Sequence, residues 1–138
     1  MFRDRIEAYF LACSEGDGAA IASHFTDDAV VYDLNHAPVV GAASIGSFWV
    51  KIRSKWRNAR WHVHTCIADA DAAAIEWSMT GEREGNPFCV YGSEHYAFRE
   101  GRIAEIRQYW SFDPKSPDSG LVGFPYGKDP RFRTSHSP

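Results

Sequence analysis

An α+β fold, three amino-terminal helices packed on a curved, mostly antiparallel sheet, is what this sequence predicts. Three observations carry it. Apolar residues recur at helical spacing through residue 57, apart from one β-branched run; the period switches to two from about residue 60; and the segments of period two are joined by short turns.

Each element has its own signal. Phe2, Ile6, Tyr9, Phe10 and Cys13 recur as one helical stripe, which predicts a helix over 3–15. Gly16 suits its stop, and Asp17 suits the N-cap of a short second helix carrying Ile21 and Phe25. A turn at Thr26-Asp27-Asp28 leads into Ala29-Val30-Val31-Tyr32-Asp33, a β-branched strand. Pro38 to Gly41 is a break or a short edge strand. Ile45, Phe48, Trp49, Ile52 and Trp56 mark a third helix over 42–57. Strands are then predicted at 60–69, 72–83, 88–99 and 102–112. Their turns are Asp69-Ala70-Asp71, Glu84-Gly85-Asn86-Pro87 and Glu100-Gly101, short enough to force antiparallel neighbours. The domain is drawn at 1–113. The remainder, 114–138, has no sustained period and reads as an irregular tail that wraps the body or a partner and frays beyond Arg131.

Composition narrows the function. A chain of 138 residues, 44% hydrophobic and 24% charged, makes one core with room for one internal pocket. A net charge of −3 gives no electrostatic footprint for nucleic acid or for an anionic membrane. Aromatic residues make up 14%, more ring surface than a minimal core needs, which points to an aromatic-lined cavity. Charge begins at Arg3, so no secretory leader is expected, and no apolar run reaches the ~18 residues of a membrane span. Cys13, Cys66 and Cys89 are odd in number, widely spaced and without a CxxC; the expectation is three reduced thiols in a cytoplasmic protein.

The order of elements resembles the SnoaL-like members of the NTF2-like superfamily. The residues that carry the likeness are Tyr9, Gly16-Asp17, Ile21, Phe25-Thr26-Asp27-Asp28-Ala29-Val30-Val31-Tyr32-Asp33, Glu94-His95-Tyr96-Ala97-Phe98 and Gly101-Arg102-Ile103. The resemblance spans about residues 3–112. It implies a sheet folded as a cone around the helices, a mainly apolar pocket inside, and a homodimer through the sheet's outer face. The superfamily hosts isomerases, dehydratases, cyclases and epoxide hydrolases as well as proteins with no chemistry, so the fold alone does not name the reaction.

Locally the chain is similar to ketosteroid isomerases, whose general-base Asp ends the first strand and whose oxyanion Tyr sits on the first helix. Asp33 and Tyr9 occupy those places, and the third member of that set, a protonated acid, falls on Glu94. Strand parity points to Glu94 independently. Phe88, Val90, Gly92, Glu94, Tyr96 and Phe98 share one face, and a carboxyl in phase with apolar neighbours is a candidate for burial as the neutral acid. Alternatively Glu94 pairs with Arg107 or His95, Tyr9 is plain core, and Asp33 shapes the turn before Asn35-His36.

His62 and His64 lie two apart on one strand, on a face with Cys66, and either could be the base of a dehydratase-like Asp–His pair with Asp33. The apolar phase of Trp61, Val63 and Ile67 points both histidines the other way, and an H-x-H metal site lacks a partner carboxylate, so no metal is expected. Ala104, Ile106, Gln108, Trp110 and Phe112 share the pocket face of the last strand, with Phe25, Trp49, Trp77 and Met79 as further walls. Gln108 stands where limonene-epoxide-hydrolase relatives carry an Asp, which argues against that chemistry. The basic run Lys51, Arg53, Lys55, Arg57 and Arg60 reads as a solvated face.

The expected function is a cofactor-free acid–base isomerase or lyase acting on a small hydrophobic carbonyl or hydroxylated ligand. Asp33, Tyr9, Glu94 and His64 are the catalytic candidates, and Phe25, Trp49, His62, Trp77, Ile106, Gln108 and Trp110 the binding candidates. The alternative is a dimeric, non-catalytic binding module with the same pocket.

Overall fold

The computed structural model of the chain describes residues 2–111, 113, 115 and 118–132. Its helices are α1 (Phe2–Glu15), α2 (Gly18–Ser23) and α3 (Ala42–Ser54). The strands are β1 (Phe25–Asp33), β2 (Val39–Val40), β3 (Arg57–Asp69), β4 (Ala72–Arg83), β5 (Asn86–Arg99) and β6 (Arg102–Tyr109). They form one mixed sheet in the order β2-β1-β6-β5-β4-β3. The expected meander β3 to β6 is antiparallel throughout, and β1 joins it parallel to β6.

Helix α1 buries Ile6, Tyr9, Phe10 and Cys13. It stops at Gly16, whose φ of 73° only glycine adopts without strain and whose N–H returns to Ala12 O at 3.0 Å. Two members of the basic run finish this end. Arg53 Nε and Arg60 donate to the Ser14 carbonyl at 2.7 and 2.9 Å and cap the helix, while Arg60 stays exposed with Lys51, Lys55 and Arg57, as a solvated face requires. Asp17 is the expected N-cap of α2, accepting from Ala20 N at 3.0 Å. Phe25 belongs to β1 instead of extending that helix, and β1 starts earlier than the β-branched run because the stretch around Thr26–Ala29 is a register irregularity within a strand, not a turn.

The helices lie on one face of the sheet, α1 against β3 and α3 against β1. On that inner face the even positions of β5 from Phe88 to Phe98 point into the core, as their parity requires. The other face carries the tail. Ser119 pairs with the free edge of β5, Tyr126 stacks on Tyr91 with ring centroids 3.7 Å apart, and Phe132 packs 5.2 Å from His64. Phe132 is buried within a 3-10 turn; the fraying expected beyond about Arg131 falls on residues 133–138, which lie outside those described. Tyr32, Leu34 and Tyr109 stay exposed, the last two beside the tail. Among the described residues no helix is long and apolar enough to cross a membrane.

Candidate active site

Register sets the polar row at the centre of the inner face. Asp33 on β1 is opposite Gln108 on β6, Gln108 is opposite Glu94 on β5, and Glu94 is opposite Ile75 on β4. Three polar side chains therefore stand side by side on adjacent strands in a face otherwise built of Val31, Ile106, Tyr96, Ile75 and Trp77.

Above this row, between sheet and helices, lies a narrow chamber with a cavity volume of about 20 Å³. Its walls are Phe10, Trp49, Ile52, Trp61, Trp77, Met79 and Trp110, and its polar points are Tyr9, Cys13, Glu94 and Gln108.

Glu94 is 3% exposed, and its Oε2 has no hydrogen-bond partner among the described residues. Burial pushes its carboxyl up to about 8, the Tyr96 hydroxyl beside it works against that rise, and the charge of Asp33 adds to it. At neutral pH the group is a neutral acid with a proton to give. Neither expected surface partner reaches it. Arg107 points out to solvent and pairs with Glu105, and His95 lies on the outer face against Tyr109. Tyr9 on α1 is fully buried, and burial holds its hydroxyl well above the ordinary tyrosine value, with the neighbouring Cys13 and Glu94 adding to the shift; it stays a donor.

Asp33 departs from expectation. Its side chain is fully covered, not at the rim of the chamber, and it stands behind two lining residues. Oδ2 accepts from Gln108 Nε2 and Trp110 Nε1, each at 2.7 Å. Oδ1 accepts from the backbone N–H and the side-chain amide of Asn35, at 2.7 and 2.8 Å. The His36 ring lies 3.6 Å from Oδ2. A carboxylate offers about four acceptor positions, and the four donors at closer range fill them. The bond to Asp33 also orients the Gln108 amide, one N–H of whose Nε2 is committed and whose Oε1 is left as an acceptor.

The histidines are not in the chamber. A register irregularity between Val63 and Thr65 places His64 at a bulge on the outer face, where its Nε2 meets Ser78 Oγ at 2.7 Å. His62, opposite Ser78, shares that face, whereas the bulge turns Cys66 inward against the core. The grouping of His62, His64 and Cys66 on one face is thereby corrected, and the Asp–His pair with it. Among the described residues no three His, Cys, Asp or Glu side chains gather to hold a metal.

Of the remaining expected binding residues, Trp49, Trp77, Gln108 and Trp110 line the chamber. Phe25, packed edge-on against Tyr9 at 5.1 Å, and Ile106 are core residues outside the lining. A bulge at Ala104 brings Ile103 inward in its place, and Phe112 lies outside the described residues. Phe10, Cys13, Ile52 and Trp61 also line the chamber. The stripes of α1 and α3 already contained Phe10, Cys13 and Ile52, and strand parity contained Trp61, but each looked like ordinary core.

Residues 6–106 match the model of the SnoaL-like domain, and the chain belongs to that family. A structure from Catenulispora acidiphila DSM 44928, with a ketosteroid isomerase-like fold and crystallised with trimethylamine, is 20% identical; the match has a TM-score of 0.73 and covers 78% of this chain and 85% of that one. A protein of unknown function with a cystatin-like fold from Methylobium petroleophilum PM1 is 25% identical at a TM-score of 0.71, over 99% of this chain and 94% of that one. An LEH-like epoxide hydrolase from M. tuberculosis is 17% identical at a TM-score of 0.68, over 78% of this chain and 80% of that one. No curated protein matches the chain. The fold is thus the NTF2-like α+β fold, and its structural neighbours include enzymes.

Proposed function

We propose that this SnoaL-like protein is a cofactor-free acid–base isomerase or lyase acting on a small, apolar carbonyl or hydroxylated compound bound in the chamber. One observation carries the reading: Glu94, a carboxyl kept neutral by burial, has an oxygen without a protein partner in a cavity walled by tryptophans. Such a group binds a substrate oxygen and strengthens its hold as negative charge develops there.

The step assigned to the site is proton abstraction from the carbon next to a carbonyl. Asp33 takes the proton, the electron pair moves into the new carbon–carbon double bond, and the carbonyl oxygen becomes an enolate oxygen held by the Tyr9 and Glu94 hydroxyls. Return of the proton to another carbon completes an isomerisation; in a dehydration the enolate electrons re-form the carbonyl and make the Cα–Cβ double bond as the β-hydroxyl leaves as water, taking the proton held by Asp33. Asp33 must first lose a donor. Trp110 is the one that substrate displaces most readily, because it is half-buried and also borders a groove on the sheet's outer face.

A second reading, a binding module without turnover, is favoured by the same saturation of Asp33: a carboxylate with four donors is well suited to holding Gln108 and Trp110 in place as fixed walls. Exchange of the α-protons of 2-tetralone in D₂O, followed by ¹H NMR, separates the two. Exchange above the buffer rate that is lost in Asp33→Asn supports the enzyme. Binding of 2-tetralone with no added exchange supports the module and overturns the enzyme.

A further inference from the structure

The outer face of the sheet carries a second concavity. Strand register sets one row of it: Thr65, Glu76, Ser93 and Tyr109, one residue from each of β3 to β6. Ile75 and Trp77, on either side of Glu76, are buried in the core, so parity turns Glu76 outward. The tail forms the facing wall, and the groove between has a cavity volume of about 330 Å³, enough for a small molecule. Tyr91, Tyr109, Trp110, Tyr126 and Phe132 line it, and Glu76 is the one charged side chain among the described residues that do.

Hydrogen bonds as well as ring contacts hold the tail wall in place. The Ser119 backbone accepts from Tyr91 N at 3.0 Å and donates to Cys89 O at 3.1 Å. Asp118 Oδ1 accepts from Cys89 N at 3.0 Å, and the Tyr126 hydroxyl accepts from Leu121 N at 2.8 Å. The charge of Glu76 is oriented but not neutralised: Thr65 Oγ1 donates to its Oε1 at 2.9 Å. Two arginines near this face are engaged elsewhere. Arg107 pairs with Glu105, and Arg131 bonds both oxygens of Asp129, at 3.1 and 2.7 Å, with Glu76 adding only a minor pull.

Aromatic walls beside one unneutralised carboxylate suit a cation that needs no hydrogen bonds. Ring faces attract positive charge, and N-methyl groups also pack on them as apolar surface. A primary ammonium is strongly hydrated and brings three donors to satisfy, so it fits such walls less well. We propose that the outer groove binds a small quaternary ammonium compound, its methyl groups against the rings and its charge balanced by Glu76. The proposal does not draw on the reading of Glu94 and Asp33, and either can fail alone.

The test compares choline with 3,3-dimethylbutan-1-ol, which has the same shape but a carbon in place of the charged nitrogen. In titrations followed by ligand ¹H NMR, choline binds the unaltered protein about 3- to 30-fold more tightly than the alcohol, the range for a cation held by aromatic rings. Glu76→Gln keeps an acceptor for Thr65 and lowers choline affinity about 2- to 5-fold. Tyr109→Leu, at a position 50% exposed, keeps an apolar side chain without the ring and lowers it by a similar factor. Neither variant changes the affinity for the alcohol. Equal affinities for the two probes, a preference unchanged in both variants, or no saturable binding of choline overturns the proposal. The last outcome includes the case in which sedimentation shows a second copy of the chain covering the groove.

Discussion

Glu94 on the inner face of the sheet and His64 on the outer face are both buried among aromatic rings, and burial drives both toward the uncharged form, Glu94 up to about 8 and His64 down to about 4. Beyond that they differ. His64 has its Nε2 satisfied by Ser78, and the rings around it are Tyr91 of β5 and Phe132 of the tail folded down on the sheet. Glu94 has an oxygen left over and faces a space. A perturbed titration therefore does not by itself mark a functional group; a perturbed titration with an unspent hydrogen bond marks a candidate. By this measure the inner face is the candidate site and the outer face around His64 is packing.

The sharpest way to break that contrast is to remove the anion behind the inner row. Asp33→Asn lowers 2-tetralone exchange by about 10²–10⁴-fold, the usual worth of a positioned base, whereas Ser78→Ala on the outer face leaves it unchanged. Equal losses in both variants would mean that the sheet, not the site, controls the reaction.

Next in size is the pH dependence of stability. Below the ordinary carboxyl value of 4.5, Glu94 is protonated folded and unfolded. Between 4.5 and about 8 only the folded chain keeps the proton, so stability falls as pH rises through this window and levels off above it. The full difference is on the order of 5 kcal/mol at about 1.4 kcal/mol per unit. Glu94→Gln removes this alkaline decline in urea titrations. His64 acts at the other end: between 6.5 and about 4 the unfolded chain takes up a proton that the folded chain does not, so stability falls as pH drops. His64→Gln flattens that acid limb only.

Two smaller effects refine the comparison. An added Cβ at Gly92 would lie 2.5 Å from the Trp77 ring and 2.9 Å from Trp110 Cβ, so Gly92→Ala overpacks the inner face and destabilises by about 1–3 kcal/mol in chemical denaturation. Ser78→Ala leaves His64 Nε2 without its partner and costs about 1–2 kcal/mol by the same measurement.

What was legible in the sequence follows the reach of its periodicities. Glu94 and Gln108 could be placed on the inner face because unbroken alternation along β5 and the end of β6 fixes their phase. The phase argument failed where a bulge intervenes. One at His64 turned Cys66 inward, and one at Ala104 put Ile103 where Ala104 was expected. Phe25 continued a helical stripe by spacing and was claimed by strand pairing with Ile103. Asp33 shows both limits at once. Its bonds to Asn35 are local, and the turn reading anticipated them, but Gln108 and Trp110 come from 75 and 77 residues away and nothing in local spacing announces them. The tail had no period to read, and its seat on the outer face depends on ring contacts with Tyr91 and His64.

The central claim is that a neutral carboxyl at Glu94 presents its proton to the chamber. A pH titration of protein labelled with ¹³C at the glutamate side-chain carboxyls, with Glu94→Gln to assign the signal, tests it directly. The account predicts one carboxyl resonance that titrates near pH 8 and is missing from the variant; a Glu94 signal that titrates below pH 5 with the other glutamates would contradict it.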